Sequence, residues 1–226
     1  MAALNLIKYS PARIIFFSFF LTIAVGTLLL ALPIARTTDI SLIDLFFTAT
    51  SATCVTGLFT IPLHGSFTFF GKCVLLALVQ IGGLGLITMT LFFVSLFVDL
   101  GFNTQLMAGE VLELESWKNM KRILMFIILI TLYSELIGAL ITYSALPDMP
   151  PGEAWLTALF HGVASFCNAG FSLLSAHPEV LPNNPIILAT TAFLMFIGGI
   201  GFITWYEVTQ YFYSWFAKQR HRFSLH

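Results

Sequence analysis

The chain has 226 residues, of which 58% are hydrophobic and only 9% charged. A soluble domain carries about 25% charged residues, and one of this length has too little interior to hide so much apolar surface, so lipid is the expected solvent. The net charge of -1 offers no basic face, which excludes nucleic acid as a partner.

In chain order, six stretches carry one charge or none: 14–35, 45–71, 73–98, 123–147, 154–178 and 180–206. About 20 apolar residues cross a bilayer, so the first, third, fourth and sixth are predicted spanning helices. The first is too long, and lacks the flanks, for a cleaved signal peptide. The second is broken by Gly57, Pro62 and Gly65, and the fifth by Gly162 and Gly170. Roughly 12 apolar residues precede each break. A helix of that length is about 18 Å long, enough to reach mid-bilayer and turn back. These two are predicted re-entrant pore helices, the first over about 41–52. Residues 101–120 hold Glu110, Glu113, Glu115, Trp117 and Lys118. They read as a linker, either an amphipathic helix on the inner face or a solvated connector.

Four spans place Lys8, Arg13, Lys118, Lys121, Arg122, Lys218, Arg220 and Arg222 on one side of the membrane, and only Arg36 and Lys72 on the other. Six spans would even out that split. An excess of Lys and Arg marks the cytoplasm, so a multi-pass protein of the inner cell membrane with both termini cytoplasmic is expected.

The two halves repeat. Aligning Gly57 with Gly170 pairs Phe47 with Phe160 and Cys54 with Cys167. Downstream, Gly82-Gly83-Leu84-Gly85-Leu86-Ile87-Thr88 answers Gly198-Gly199-Ile200-Gly201-Phe202-Ile203-Thr204. The predicted fold is all-α transmembrane, with two parallel helix–pore-helix–helix repeats over 1–100 and 121–226. The linker 101–120 joins them, and the second repeat carries a basic cytoplasmic tail. Each unit crosses twice, so both point the same way, unlike the inverted repeats of many transporters.

The C-terminal end of a helix carries roughly half a negative charge. Irregular backbone is tolerated at membrane depth where it is buried in protein or lines a wet cavity. The turns Thr53-Cys54-Val55-Thr56-Gly57 and Cys167-Asn168-Ala169-Gly170 follow the two pore helices. They are candidate ion-binding segments, where backbone oxygens replace an ion's water shell. Glycine is needed where the backbone takes a conformation that side chains resist. The bland alternative is a pair of packing loops. Gly82, Gly83, Gly85, Gly198, Gly199 and Gly201 are either sites of close helix packing or hinges. Glu135, the only acid deep within a predicted span, is a functional candidate or a hydrogen-bonded tie between helices. His161 reads as a packed donor, Glu207 as interfacial beside Trp205 and Tyr206, and His64 and His177 as solvated. Cys54, Cys73 and Cys167 have no paired spacing and suggest neither a disulfide framework nor a zinc site. No catalytic motif is present in the sequence, so neither an enzyme nor a covalent cofactor is expected.

Ser51-Ala52-Thr53-Cys54-Val55-Thr56-Gly57-Leu58 after a short helix, Asn168-Ala169-Gly170-Phe171-Ser172 in the next unit, and a Gly-Gly-x-Gly-[Leu/Phe]-Ile-Thr run in each second helix resemble the membrane subunit of bacterial Trk/Ktr potassium uptake systems. The resemblance covers nearly the whole chain. It implies helix–pore-helix–helix units, four in the family and two here, around one pore with one glycine per filter segment. It implies potassium as substrate, Gly57 and Gly170 as the selectivity glycines, and filter carbonyls from Val55, Thr56, Asn168 and Ala169. It also implies a cytoplasmic nucleotide-binding regulatory subunit, for which the basic tail and the linker are the expected docking places. Two further units would come from a second copy or another chain. The rival expectation is a non-conducting pore remnant or scaffold.

Overall fold

A computed structural model describes residues 11–85, 120–147, 149–176, 183–201, 204–209 and 211. Its principal helices are α1 (Pro11–Ala31), α2 (Leu42–Thr53), α3 (Phe69–Gly83), α4 (Met120–Ala145), α5 (Pro151–Phe166) and α6 (Pro185–Gly199). Among the described residues there is no strand, only an isolated bridge between Arg36 and Phe67.

Local chemistry sets the helix starts. Ser41 caps α2, its Oγ accepting the N–H of Asp44, as a serine at this position does. Asp44 in α2 and Glu153 in α5 put acid in the first turn, which complements the positive end of the helix dipole. Asn184 caps α6 by accepting the N–H groups of Ile186 and Ile187. Its Nδ2 donates to the carbonyl of Ala145 at 2.6 Å, which fastens the start of α6 to the end of α4.

Packing follows in two triplets. Helix α2 lies against α1 and α3, which also touch each other, and α5 lies against α4 and α6 in the same manner. Helix α3 joins the halves by packing on α5. On α4 the buried positions are Leu124, Ile127, Thr131, Glu135, Ala139 and Thr142, while Leu129, Leu132, Tyr133, Leu136 and Leu140 are exposed. The three-to-four spacing is helical, but the sense is reversed from a helix in water. The polar side chains Thr131, Glu135 and Thr142 share the protein-facing side with Leu124, Ile127 and Ala139, while large, mostly apolar side chains face out, as a lipid solvent demands.

The predicted spans meet a correction. Among the described residues, Leu124–Ala145 is the one helix long and apolar enough to cross a membrane. The continuous helices expected over 73–98 and 180–206 are interrupted. Helix α3 stops at Gly83 and α6 at Gly199, each after 15 residues, about 22 Å of helix against a hydrocarbon core of roughly 30 Å. Gly85 and Gly201 then take left-handed φ values of 78° and 91°. Such a residue ends the hydrogen-bond ladder, a backbone preference that hydropathy does not register. Residues 86–98, the linker up to 119, His177 and the basic tail lie outside the described residues.

Candidate functional site

Helices α2 and α5 end in the same kind of turn. After α2, the N–H groups of Cys54, Val55 and Thr56 bond back to the carbonyls of Thr50 (2.8 Å), Ala52 (3.3 Å) and Ser51 (3.0 Å). After α5, those of Cys167, Asn168 and Ala169 bond back to Val163 (2.9 Å), Ser165 (3.1 Å) and Ala164 (2.8 Å). Each turn then contains two left-handed residues separated by one other. They are Val55 (φ 56°) and Gly57 (φ 72°) in the first, and Asn168 (φ 55°) and Gly170 (φ 69°) in the second.

The turns meet. A Cβ added to Gly57 would lie 2.5 Å from the carbonyl oxygen of Ala169 and 2.8 Å from Gly170 Cα. One added to Gly170 would lie 3.2 Å from Gly57 Cα and 3.9 Å from the oxygen of Thr56. The rings of Phe59 and Phe171 flank the contact with centroids 6.4 Å apart. Two glycines 113 positions apart in sequence thus share one point, with main-chain oxygens on both sides. Cys54, Thr56, Asn168 and Gly170 are exposed, whereas Ala169 is buried. Thr53 and Cys167 are buried and face α3. A Cβ at Gly82 would overlap the oxygen of Thr53, and one at Gly83 would overlap Cys167 Sγ. Gly198 stands under the oxygen of Phe166 in the same way. Nothing lies within 4 Å of a Cβ at Gly199 or Gly201.

The two turns are braced by different means. Ser51 Oγ accepts the N–H of Leu58 at 2.9 Å and lies 2.8 Å from Thr56 Oγ1. The Asp44 carboxylate accepts from the hydroxyls of Ser41 (2.6 Å) and Thr60 (2.7 Å), so it ties the descending strand of the turn to the start of α2. These two donors, Ser41 first, hold the Asp44 carboxyl below the usual aspartate range. In the second turn alanine, Ala164, stands where Ser51 does. There Asn168 Nδ2 donates to the carbonyls of Phe166 (3.4 Å) and Met195 (3.3 Å). Sequence reasoning missed Asp44 and Thr60, and placed Ser51 in the turn motif without its bracing role. The Ser-x-x-Asp start of α2 was the available signal, a variant of the capping box.

Behind the second turn, buried Glu135 accepts a hydrogen bond from Gln80 Nε2 at 2.9 Å, and Cys167 Sγ lies 3.9 Å away. The pair links α3 to α4 across the halves. His161 Nε2 sits 2.7 Å from Thr191 Oγ1, between α5 and α6. Among the described residues no three His, Cys, Asp or Glu side chains gather as metal ligands. The oxygens on offer at the glycine contact are those of the main chain.

An all-helical chain with two apposed, glycine-centred turns at helix C-termini defines the class. The chain belongs to the TrkH family, described as cation transport protein, whose model matches residues 18–225. It is 33% identical over 222 residues to the Ktr system potassium uptake protein B of Bacillus subtilis, covering 97% of this chain and 48% of that protein. It is 37% identical over 197 residues to the protein of the same name from Vibrio alginolyticus, covering 86% and 43%. It is 32% identical over 208 residues to the potassium/sodium uptake protein NtpJ of Enterococcus hirae, covering 90% and 46%. The chain spans about half the length of the curated relatives it matches.

Proposed function

We propose that this chain forms part of a membrane pathway for monovalent cations, potassium first, and that the halves 1–100 and 121–226 are parallel pore-loop repeats. The observation that carries the reading is the contact between Gly57 and Gly170, each left-handed and each at the end of a short helix. Helix C-termini bring negative potential, and main-chain oxygens at such turns substitute for an ion's hydration shell. In this reading the carbonyls of Val55, Thr56, Asn168 and Ala169 coordinate the ion, and Gly57 and Gly170 set the narrowest point. The printed names of the relatives, potassium uptake and potassium/sodium uptake, agree with an alkali-metal substrate. Both termini lie on the cytoplasmic side, and a nucleotide-binding regulatory subunit docks there.

Rubidium flux into liposomes tests the reading. Wild-type assemblies should pass rubidium in preference to sodium, and Gly57→Ser should lower that preference about tenfold or more, one order being ~1.4 kcal/mol of discrimination. An unchanged ratio in an active assembly removes Gly57 from the filter. Absence of flux at every protein density favours a non-conducting scaffold. For the regulatory partner, replacing Lys218, Arg220 and Arg222 together should weaken co-purification. Undiminished capture of the partner excludes the tail as the contact.

A further inference from the structure

Two turns of the same shape are held by different means. The first leans on its own side chains, Ser51 and Thr56, and on the tie from Asp44 to Thr60. The second has Ala164 where the first has Ser51, and its Cys167 is buried where Cys54 is exposed. Behind Cys167 stands a carboxyl group from another helix. Glu135 is 3% exposed, and one of its oxygens, Oε1, serves two elements at once. It accepts from Gln80 Nε2 of α3 at 2.9 Å and lies 3.9 Å from Cys167 Sγ at the end of α5. A thiol is a weak donor, but a hydrogen bond gains strength where water is excluded.

The main chain keeps this carboxyl in place. A Cβ on Gly162 would lie 2.8 Å from the main-chain oxygen of Glu135 and 3.1 Å from the nitrogen of Ala139, so α4 and α5 touch there backbone to backbone. Five residues on, at the end of α5, comes Cys167. Its sulfur also presses on Gly83 of α3, so the side chain is gripped from two sides. The next residues are Asn168, with its left-handed backbone, and Ala169. The first half has no such grip. Gly26 meets Leu78 as Gly138 meets Leu194, and that register puts Ile23 where Glu135 stands.

We propose that Glu135, held by Gln80, is a positioning residue for the second turn. It touches no ion, and it fixes through the Cys167 thiol the direction in which the carbonyls of Asn168 and Ala169 point. This role rests on the cation-pathway reading for what those carbonyls do. Ion preference at the second turn is then set from behind, by a carboxyl that also bonds the other half of the chain.

Asn168–Ala169 is the one Asn-Ala pair in the chain, and Thr56–Gly57 the one Thr-Gly pair. Labelling the carbonyl carbon of the first residue type and the amide nitrogen of the second therefore gives a single solid-state NMR line for each turn in bilayers. Glu135→Leu and Cys167→Ala should each move the Asn168 line beyond its width, and further than the Thr56 line. Each should also lower the rubidium-over-sodium preference in liposomes about fivefold, the equivalent of one net hydrogen bond. The double variant should lose about fivefold as well, since both changes break one connection. Glu135→Gln keeps an acceptor oxygen and should rescue both readouts. A double variant whose loss is the product of the single losses overturns the proposal. So does Glu135→Gln with the defect of Glu135→Leu, which assigns the effect to charge. Should Glu135→Leu fail to fold, Cys167→Ala decides, and a wild-type Asn168 line in that variant overturns the proposal. The NMR readout requires no transport. A displaced Asn168 line with unaltered ion preference overturns the permeation reading of this turn and leaves the positioning role standing.

Discussion

Val55 is the least expected residue of the site. A β-branched side chain at φ 56° is an outlier, and holding it there costs about 1–3 kcal/mol. Asn168 occupies the matching place in the other turn at φ 55°, and asparagine tolerates that region. Val55→Asn is expected to raise stability by about 1 kcal/mol, read as a higher unfolding midpoint in detergent. Asn168→Val should lower it by about 1–3 kcal/mol, since it adds strain and removes the side-chain donor to Phe166 and Met195. A midpoint that moves the other way in either variant means that the turn does not impose this conformation. The two glycines were legible in sequence because glycine marks such a bend. Val55 was not, because its composition signals extended chain and only its surroundings hold it otherwise.

At the scale of the elements, α3 is the member that joins the halves, packing on α1 and α2 on one side and on α5 on the other. Gly82→Ala and Gly198→Ala each drive a methyl into a main-chain oxygen, and should cost about 1–3 kcal/mol or more, the price of overpacking. Gly199→Ala, with open space around it, should leave the unfolding midpoint of the monomeric chain unchanged or higher, as alanine favours helix. Equal losses at all three positions contradict the packing described. Glu135→Leu leaves Gln80 without an acceptor at a cost of about 1–3 kcal/mol, whereas Glu135→Gln keeps an oxygen for it. A thermal midpoint lower for leucine than for glutamine checks the link. The start of α2 makes a pH prediction. The Asp44 carboxyl titrates below its usual value because Ser41 and Thr60 donate to it. Its stabilising effect is therefore complete above the unfolded aspartate value of about 4 and fades as the pH falls below that. Asp44→Asn should flatten the acid limb of the stability profile. An unchanged limb assigns acid sensitivity to other groups. In sequence the hydroxyls of Ser41 and Thr60 lie far apart around Asp44, and only the folded turn brings Thr60 back.

For the whole molecule, large apolar side chains cover the outward faces of the described helices, while Thr131, Glu135 and His161 are buried within. Leu136→Lys, on the exposed face of α4 near its middle, should make membrane insertion less favourable by about 3 kcal/mol, measured as the inserted fraction in a glycosylation-mapped insertion assay. Full insertion of that variant would deny that this face meets lipid. The membrane location, the two short helices with their glycine turns and the family were all legible in the sequence alone. Composition, spacing and glycine are local properties that need no partner to be read. Only the tertiary structure decided that Gly57 and Gly170 touch, that Gly82 and Gly83 seat turns from different halves, and that Glu135 meets Gln80. Those contacts join residues far apart along the chain. They depend on the register at which packed helices interlock, a steric property that no single segment contains.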